Sequence, residues 1–446
     1  MMYEPQAEAM SRDERTALQR GRLRRLVDRL LDVDGLQGGR LRAAGVASGA
    51  DVDLEDLSRL PMATKQDLWS AYPLGMLAVP MEQVVAIHGS SGTGGRPTLV
   101  GYTRSDLSLW ARLCARSLVC AGVSPSSLIH NAYGYGLFTG GLGIHQGAVE
   151  LGAAVVPLSG GMTSRQLRLL VDLGPDVLTC TPSYALRLGE AAREAGITPD
   201  RLRLKVGVLG AEPWSEALRG QIEETLGLRA LDIYGLSEIL GPGVAAECVE
   251  AGHGLHVHED HFLVETIDPE TGEPVGDGRP GELVFTTLTK EALPLLRYRT
   301  GDIAALSRTP CPCGRTLVRM SKVLGRRDDM LVVRGVNVYP SEVEQVLLSD
   351  VRLSPHYLIV MDQRGLNRLI VACEQVSGDD GVRTELERVL AERLGVRADV
   401  RIFPTGTVPR TETGKAVRVL PWSEGAAPLP GLDEPPSAAA AAGRMS

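Results

Sequence analysis

Short apolar runs rich in β-branched residues alternate along the chain with stretches in which apolar residues recur at helical spacing. Five of the runs are typical of buried strands: VVAIH (84–88), SLIHNAY (127–133), AAVVPL (153–158), DVLTCT (176–181) and LKVGVLG (204–210). Residues 105–123 and 164–174, which lie between these runs, have the apolar spacing of helices. This alternation predicts an α/β fold in which a parallel sheet is covered by helices. Residues 1–80 are predicted to be mainly helical.

The pattern changes near residue 260. Three shorter runs predict antiparallel strands joined by turns: HFLVETID (261–268), GELVFTTL (281–288) and DIAALS (302–307). After Gly325, apolar runs and two helical patterns indicate a small α+β module. We therefore predict a large N-terminal domain with mixed and parallel sheets over residues 1–325 and a small mobile α+β domain over 326–422, with a hinge between 325 and 330. The tail over 423–446 is rich in Pro and Ala and is predicted to be disordered.

The composition argues against several classes of protein. The 446 residues carry a formal net charge of −8 without a block dense in Lys and Arg, so neither nucleic acid nor an anionic membrane is an expected partner. No apolar run is long enough for a transmembrane helix, and the N-terminal residues lack the apolar segment of a secretory signal. The seven cysteines are few and scattered, which favours a reducing cytoplasm over a disulfide framework.

The stretch SSGTGGRPT at residues 90–98 directly follows a predicted strand. Its glycines would leave several backbone N–H groups open, and its hydroxyl groups would add donors, which suits the phosphates of a nucleotide. The phosphate loop GxxxxGK[ST] is excluded, because Arg96 and Pro97 stand where Lys and a hydroxyl residue would be needed. Taken alone, the stretch also fits a flexible hairpin loop.

Three further residues carry groups that suit nucleotide chemistry. Glu238 lies on a predicted tight turn in DIYGLSEILGPGV (232–244), where a carboxylate could ligate Mg²⁺ on the phosphates. Asp302 precedes an apolar strand, and a carboxylate there can accept both hydroxyl groups of a ribose. Lys415 follows a glycine in PRTETGKAVRV (409–419), and a lysine can meet the negative charge that develops on a transferring adenylyl group. Each of the three alone also fits a plainer interpretation, namely an ordinary turn, a turn-forming Asp and a surface Lys.

Taken together and in order, these motifs point to one family. The longest are SSGTGGRPTLVGYT (90–103), NAYGYGLFTGGLGIHQGA (131–148), YGLSEILGPGVAAEC (234–248), GELVFTTLTKEALPLLRYRTGD (281–302) and GRRDDMLVVRGVNVYPSEVE (325–344). They resemble the adenylate-forming superfamily of acyl-CoA synthetases, adenylation domains and luciferases, and more closely its phenylacetate–CoA ligase branch. The resemblance extends from about residue 55 to about residue 420.

The resemblance implies an enzyme that joins an aromatic carboxylic acid to AMP from ATP, releases pyrophosphate, and transfers the acyl group to coenzyme A (CoA). Lys415 would bridge the attacking carboxylate and the α-phosphate, and Glu238 would hold Mg²⁺. The remaining ATP-binding residues would be Ser90, Ser91, Gly92, Thr93, Gly94 and Gly95 at the β- and γ-phosphates, Gly210, Ala211, Glu212, Pro213 and Tyr234 at the adenine, Asp302 at the ribose, and Arg326 near the ribose and phosphate.

A hinge and an acyl pocket are also implied by the resemblance. Asp328 would be the hinge about which the small domain rotates, so that one orientation presents Lys415 and the other presents Val333, Arg334 and Gly335 to the thiol. The acyl pocket would be formed by Tyr135, Phe138, Gly140, Gly141, Ile144 and His145. Relatives tend to have a smaller residue at the position of Ile144, which favours a benzoate-type or substituted aryl acid over phenylacetate here.

The phosphate stretch departs from the family pattern. Gly94, Gly95 and Arg96 stand where the family usually has Thr-Gly-Lys. Arg can replace Lys as a cation, but Gly94 offers no hydroxyl donor, so ATP binding would depend more on backbone N–H groups.

A cluster of metal-binding residue types is a separate feature of the chain. Cys311 and Cys313 form a CPC motif, and Cys248 lies upstream, followed by His253 and His256. Three Cys and one His would make a tetrahedral structural zinc site. Some members of the branch bind zinc with similar residues, which favours Cys248, His256, Cys311 and Cys313 as ligands, with His253 as an alternative to His256. Reduced cysteines without a metal are the plain alternative.

Other functions remain open at the level of sequence. The acyl group could pass to the phosphopantetheine thiol of a carrier protein instead of CoA. A nucleotide-binding protein that has lost its chemistry is a second alternative, although Glu238, Asp302 and Lys415 are all present. An unrelated P-loop NTPase is a third, and it would produce ADP rather than AMP. The resemblance leaves a homodimer open.

Overall fold

The structure is a computed structural model that describes residues 1–33, 35–90, 97–327, 329–334, 336–364, 367–377, 381–410 and 416–433. The described residues fall into two compact units. One unit contains residues 1–213 and 222–327, and the other contains 214–221 and the described residues from 329 onward. The main division follows Arg327, within the range predicted for a hinge. Among the described residues, no helix is both long and apolar enough to span a bilayer.

The first 80 residues are mainly helical, as predicted. Their α-helices are α1 (Pro5–Glu8), α2 (Arg12–Asp32), α3 (Leu36–Ala43) and α4 (Lys65–Ser70), and short 3₁₀ helices cover Gly49–Asp51 and Leu54–Arg59. A capping box begins α2, in which the Ser11 hydroxyl accepts from the backbone N–H of Glu14 and the Glu14 carboxylate accepts from that of Ser11. Leu23, Val27 and Leu30 of α2 are buried in a cluster with Leu263 and Leu296.

The rest of the large unit alternates strands and helices. In chain order the elements are β1 (Ala86–Gly89), β2 (Leu99–Tyr102), α5 (Arg104–Cys120), β3 (Leu128–Asn131), α6 (Thr139–Leu151), β4 (Ala154–Pro157), α7 (Thr163–Leu173), β5 (Val177–Cys180), α8 (Pro182–Glu194), α9 (Pro199–Leu202), β6 (Val206–Gly210), α10 (Glu216–Leu226), β7 (Arg229–Leu236), β8 (Gly241–Glu247), β9 (Leu255–Val257), β10 (Phe262–Ile267), β11 (Gly281–Thr287), β12 (Tyr298–Ala304), β13 (Leu306–Ser307), β14 (Arg319–Met320) and β15 (Gly325–Arg326). A 3₁₀ turn covers Met81–Gln83, and α10 spans the residue at which the two units divide.

A nine-stranded sheet forms the centre of this unit, in the order β13-β14-β9-β8-β7-β6-β5-β3-β4. The strands from β4 to β7 are parallel, as the alternating pattern predicted, and those from β7 to β13 are antiparallel. A second sheet, β10-β11-β12-β15, is antiparallel throughout, which confirms the change of pattern near residue 260. The predicted α/β class is therefore confirmed.

One predicted strand is paired differently from the expectation. The run 84–88 was expected to join the parallel sheet, but β1 pairs antiparallel with β2 in a separate two-stranded hairpin. Its apolar side chains are not all buried, since 39% of Ile87 is exposed. The partner of β1 begins ten residues downstream, so a short hairpin satisfies the hydrogen bonds of the strand.

The small unit is an α+β module, as predicted. Its elements are β16 (Leu331–Val333), β17 (Val336–Val338), α11 (Pro340–Leu348), β18 (Leu353–Asp362), β19 (Arg368–Gln375), α12 (Val382–Leu394), β20 (Ala398–Pro404) and β21 (Val419–Trp422). The last four strands form a sheet in the order β20-β19-β18-β21. Leu429 and Leu432 are buried beside Trp422, so packing extends beyond residue 422, where the disordered tail was predicted to begin.

Candidate active site

Several predicted site residues gather at one edge of the parallel sheet. Parallel strands end at the same edge, so the segments that follow β3, β6 and β7 meet there. These segments contain Tyr135, the stretch from Gly210 to Pro213, and Glu238. Chain positions far apart in the sequence are thereby brought to one place.

The β1–β2 hairpin carries the predicted phosphate stretch. Ser90 and Thr98 close its described part, because the Ser90 N–H donates to the Thr98 carbonyl at 3.0 Å and the Thr98 N–H donates to the Ser90 Oγ at 3.3 Å. The Gly89 N–H donates to the carbonyl of Leu137, which lies just before α6. The predicted phosphate ligands Ser91, Gly92, Thr93, Gly94 and Gly95 lie outside the described residues.

The turn between β7 and β8 carries Ser237 and Glu238. The Ser237 Oγ lies 3.1 Å from the Thr139 Oγ1 of α6 and 3.4 Å from the Gly89 carbonyl. The contact with Gly89 links the turn to the β1–β2 hairpin, which carries the predicted phosphate stretch. The turn is tight, because a Cβ atom at Gly235 would lie 1.8 Å from the carbonyl oxygen of Gly241. Within the described part of the chain, the Glu238 carboxylate has no ion-pair or hydrogen-bond partner, and only 5% of the residue is exposed.

A polar cluster is formed by Tyr234 on β7, Asp302 on β12 and Arg326 on β15. The Tyr234 hydroxyl donates to Asp302 Oδ2 at 2.7 Å, and Arg326 Nη1 lies 3.6 Å from Asp302 Oδ1. Asp302 and Arg326 face each other in the register of β12 and β15. Burial and the neighbouring Asp302 carboxylate raise the pKa of Tyr234 well above its usual value, so its hydroxyl stays a donor. Residues 68 positions apart in the chain are joined by this hydrogen bond.

The segment from Gly210 to Pro213 begins at the last residue of β6. A Cβ atom at Gly210 would lie 2.1 Å from the Ile233 carbonyl oxygen, so the backbones of β6 and β7 approach closely there. Ala211 has a positive φ of 75°, which strains a residue with a side chain. The Glu212 carboxylate accepts from the Ser183 N–H at 2.7 Å, which fixes the segment to the start of α8.

The predicted acyl-pocket residues do not all share one environment. The Tyr135 hydroxyl accepts from the Asn131 amide at 2.7 Å and lies 3.2 Å from His145 Nδ1. Phe138 is 46% exposed at the start of α6, whereas Ile144 is fully buried in a core cluster with Leu118 and Ile129. Gly141 contributes its carbonyl oxygen, which accepts from the Asn131 amide at 2.9 Å. Gly140 packs near Tyr133, which would lie 3.4 Å from a Cβ atom at Gly140.

Two polar residues of this region were missed by the sequence reasoning. Asn131 ends β3 and holds Tyr135, while its side-chain oxygen accepts from the Thr179 hydroxyl at 2.9 Å. Its position at the carboxyl end of a predicted parallel strand was the signal that could have revealed it. Lys290 is only 3% exposed and donates to the Glu238 carbonyl at 3.1 Å. No pattern in the sequence distinguishes this lysine from a surface lysine.

The predicted metal ligands do come together. One ligand atom from each of Cys248, His256, Cys311 and Cys313 lies within 4.8 Å of the others. The sulfurs of Cys248 and Cys311 are 3.6 Å apart, and the Cys313 sulfur is 3.4 Å from His256 Nε2. Tetrahedral zinc with Zn–S bonds near 2.3 Å requires ligand separations of about 3.6–3.8 Å, so the cluster fits that ion.

The two histidines that were alternative candidates for the fourth ligand lie in different surroundings. His256 is buried, and burial lowers its pKa to about 3, so the ring is neutral and able to ligate a metal. His253 is exposed, and its Nδ1 lies 2.8 Å from the Ala251 carbonyl. The geometry therefore favours His256 as the fourth ligand.

The predicted functional residues of the small unit fall partly within the described part of the chain. Asp328, Gly335 and Lys415 lie outside the described residues. Val333 is buried, and the neighbouring Arg334 is exposed with a positive φ of 53°.

A buried carboxylate organises the chain just before the segment that contains Lys415. Glu374 has no exposed surface, and it accepts from the backbone N–H groups of Gly406 at 3.0 Å and Val408 at 2.7 Å. Both of its oxygens accept from Arg410 at 2.9 Å, and Ser354 donates to one of them at 3.0 Å. Burial alone would raise the pKa of Glu374, but the hydrogen bonds from Arg410 and these amides hold it below its usual value.

We expect Glu374→Ala to destabilise the protein by about 2 kcal/mol, because the change leaves half-buried Arg410 and the Val408 N–H without their acceptor. In the wild type, the lowered pKa means that Glu374 stabilises the fold above its unfolded pKa and that this contribution disappears as the pH falls through the folded pKa. Glu374→Gln should lack this acid dependence. Hydrogen exchange of the 406–408 amides between about pH 3 and 6 would measure it, with Glu342→Gln as the control for loss of one carboxylate. Unchanged exchange in the Gln variant would contradict the assignment.

Comparison with known proteins places the chain in a family. Residues 35–288 match the family model of the AMP-binding enzymes, and residues 335–421 match the AMP-binding enzyme C-terminal domain. The chain belongs to the AMP-binding enzyme family. Its relatives include the phenylacetate–coenzyme A ligase of Thermus thermophilus, which is 49% identical over 94% of this chain and 99% of that protein. The phenylacetate–coenzyme A ligase of Escherichia coli is 48% identical over 93% of this chain and 96% of that protein.

The fold is also similar to a solved structure of 2-hydroxyisobutyryl-CoA ligase in the postadenylation state in complex with 2-HIB-AMP. The two structures superpose with a TM-score of 0.88 and 29% sequence identity, over 94% of this chain and 91% of that chain. The resemblance drawn from the motifs is thus confirmed, and the protein is an acid–thiol ligase that activates a carboxylic acid with ATP before transfer to CoA. The alternative of an unrelated P-loop NTPase is wrong.

Proposed function

We propose that this AMP-binding enzyme converts an aromatic carboxylic acid, with phenylacetate as the first candidate, into its CoA thioester. The observation that carries the proposal is the position of Asp302, which accepts a hydrogen bond from Tyr234 and is ion-paired with Arg326. Tyr234 lies on β7, which leads into the turn of Glu238, and Ser237 of that turn contacts the β1–β2 hairpin. The two relatives named above are phenylacetate–coenzyme A ligases, which supports phenylacetate over the benzoate-type acid favoured by Ile144.

In the first half-reaction, the residues around ATP hold the nucleotide in place. The Asp302 carboxylate accepts from Tyr234 and lies close to Arg326, and it would bind the ribose hydroxyls from this fixed position. The segment from Gly210 to Pro213 frames the adenine, while Ser90 and the stretch that follows hold the β- and γ-phosphates. A carboxylate oxygen of the acid attacks the α-phosphorus, and the bond to pyrophosphate breaks.

Charge neutralisation is assigned to two residues. Glu238 would hold Mg²⁺, which neutralises phosphate charge when it is bound. Lys415 stabilises the negative charge on the attacking carboxylate and the α-phosphate. In the second half-reaction, the thiolate of CoA attacks the acyl carbon and AMP leaves. The rotation about Asp328, which would present Arg334 and its neighbours to the thiol, remains part of this proposal.

The aryl group would lie beside Tyr135 and His145, with Phe138, Gly140 and Gly141 around it. Asn131 holds the Tyr135 hydroxyl, so the Tyr135 ring offers a fixed wall to an aromatic substrate. Burial raises the pKa of Tyr135 to about 12, so the ring carries no charge near the substrate. Because Ile144 lies in the core cluster, it would influence which aryl acids the pocket accepts only through the residues that pack against it.

The proposal is tested with a panel of aryl acids in an assay that resolves products. Phenylacetate should give AMP, pyrophosphate and phenylacetyl-CoA, with a higher kcat/KM than benzoate. A parallel reaction with holo carrier protein in place of CoA tests the alternative acceptor. Loading of the carrier without CoA turnover would contradict the CoA assignment, and a preference for benzoate would contradict the substrate assignment. Binding of ATP with no acid-dependent pyrophosphate release would favour a protein without chemistry.

We also propose that Cys248, His256, Cys311 and Cys313 hold a structural zinc ion. Four protein ligands close the coordination shell of such an ion, so it would contribute to folding rather than to the reaction. The support is the separation of the ligand atoms and the neutral state of His256.

Removing one ligand is expected to release zinc and weaken the fold. Cys311→Ala should abolish stoichiometric zinc in the purified protein and lower the free energy of unfolding by several kcal/mol, because metal binding is coupled to folding. Cys120→Ala is the matched control, because Cys120 is a buried thiol of the same core cluster that is not a ligand. Metal analysis and denaturant unfolding measure both effects. Wild-type protein without zinc before any chelator exposure would contradict the site.

A further inference from the structure

The turn that carries Glu238 is held from behind by side-chain donors of the protein core. The Tyr102 hydroxyl donates to the carbonyl oxygen of Leu240 at 2.9 Å, and its oxygen lies 3.4 Å from the carbonyl oxygen of Ser237. The Trp110 indole N–H donates to the Pro242 carbonyl at 2.9 Å. A core of apolar residues could pack beneath this turn, but only donors can satisfy its buried carbonyl groups.

Lys290 supplies the donor for Glu238 itself. It follows β11, and its Nζ donates to the Glu238 carbonyl at 3.1 Å while lying 4.8 Å from the centre of the Tyr102 ring. The Tyr102 and Trp110 rings stack with centroids 5.3 Å apart, so the ring under the ammonium is fixed. Lys290 and Tyr102, two of the donors that hold this turn, are thus in contact with each other.

Carboxylates on two sides balance the buried charge. Asp106 has no exposed surface and accepts from the N–H groups of Glu291 at 2.7 Å and Ala292 at 2.9 Å, which fixes the loop of Lys290 against the start of α5. The carboxylates of Asp106 and Glu238 attract the Lys290 side chain. Enclosing a charged lysine is costly, and an apolar residue would fill the space without that cost.

We propose that Lys290 is a positioning residue for Glu238, which fixes the main chain of the metal-binding turn so that the carboxylate points toward the nucleotide. The inference rests on the proposed role of Glu238 as the Mg²⁺ ligand. Lys290 itself touches neither ATP nor the acid; it acts through the Glu238 carbonyl group. Its loss should therefore affect the Mg²⁺ dependence of adenylation more than any other step.

The test compares the full-length enzyme with four single variants. Lys290→Met keeps the length of the side chain but removes the donor and the charge. Tyr102→Phe keeps the ring under Lys290 but removes the hydroxyl that donates to Leu240 and lies beside the Ser237 carbonyl. Lys205→Met is the matched control, because Lys205 is an exposed lysine. Glu238→Gln tests the metal role on which the inference depends.

Three quantities are measured for each variant: the Mg²⁺ concentration for half-maximal pyrophosphate release, the rate of acyl transfer from preformed acyl-adenylate to CoA, and the midpoint of thermal unfolding. We expect Lys290→Met to raise the half-maximal Mg²⁺ concentration about tenfold, because one charge-assisted hydrogen bond to the turn is lost. Tyr102→Phe should raise it about threefold, because its donor is uncharged. Acyl transfer should change less than twofold in both, and Lys205→Met should match the wild type.

The outcomes distinguish the positioning role of Lys290 from the proposed metal role of Glu238. If Glu238→Gln leaves the Mg²⁺ response unchanged, the proposed metal role of Glu238 is wrong. If Glu238→Gln shifts the response but Lys290→Met and Tyr102→Phe do not, the positioning role is wrong and the proposed function stands. An equal loss of both half-reactions, in step with a lower unfolding midpoint, would make Lys290 merely structural and would overturn the inference. If Lys290→Met does not fold, the Tyr102→Phe response decides.

Discussion

Replacing Asp302 with alanine is expected to reduce kcat/KM for ATP in the adenylation step by about a thousandfold, since two hydrogen bonds from ribose hydroxyls to a carboxylate would be lost. Asp302 is 3% exposed and is already oriented by the Tyr234 hydroxyl and by Arg326 on the neighbouring strand. A carboxylate fixed in this way loses little conformational freedom when the nucleotide binds, which makes its contribution large. Pyrophosphate release at varied ATP concentration measures the effect.

Deoxynucleotides distinguish a lost ribose contact from general damage to the site. The wild type should discriminate against both 2′-deoxy-ATP and 3′-deoxy-ATP, whereas Asp302→Ala should use them about as well as ATP. Tyr234→Phe serves as the control for local disturbance, because it removes one hydrogen bond to Asp302 and leaves the carboxylate in place; a loss of about tenfold is expected. Continued discrimination by Asp302→Ala would contradict the assignment of this carboxylate to the ribose.

Replacing Lys415 with alanine is expected to slow acid-dependent pyrophosphate exchange by about 100- to 1,000-fold, the usual loss when one preorganised donor to a transition state is removed. Acyl transfer from preformed acyl-adenylate to CoA should stay within about threefold of the wild type, because in the proposed rotation about Asp328 the orientation that serves this step presents Arg334 in place of Lys415. The comparison of the two half-reactions therefore isolates the role of this lysine. Isotope exchange into ATP and single-turnover transfer to CoA are the two measurements.

Lys205→Ala is the matched control, since it removes an exposed lysine of the large unit. It should leave both half-reactions unchanged. The neighbouring anchor formed by Glu374 and Arg410 predicts a further difference, because loosening it should affect exchange more than transfer. Unchanged pyrophosphate exchange in Lys415→Ala would show that the catalytic assignment is wrong.

Local pattern was sufficient to predict the types of the elements. The run at 176–181 became the parallel strand β5, because the alternation with helices leaves a parallel sheet as the arrangement that buries both faces. The run at 153–158 also became a parallel strand, β4, but β4 lies at the edge of the sheet and none of the residues of β4 is buried. The run at 281–288 became an antiparallel strand, as its turn-rich surroundings indicated. The CPC motif and its upstream partners were also found, since three cysteines and a histidine are the residue types of a tetrahedral zinc site.

The sequence by itself therefore determined the element types, the family and the residue types of the chemistry, since these depend on local spacing and motif order. The tertiary structure alone decided which of those residues meet. It paired β1 with β2, chose His256 over His253, and buried Ile144. It also put Lys290 against the Glu238 carbonyl, although 52 positions separate them in the chain. Strand partners and burial follow from contacts between distant segments, so the physical surroundings of a residue exist only in the folded chain.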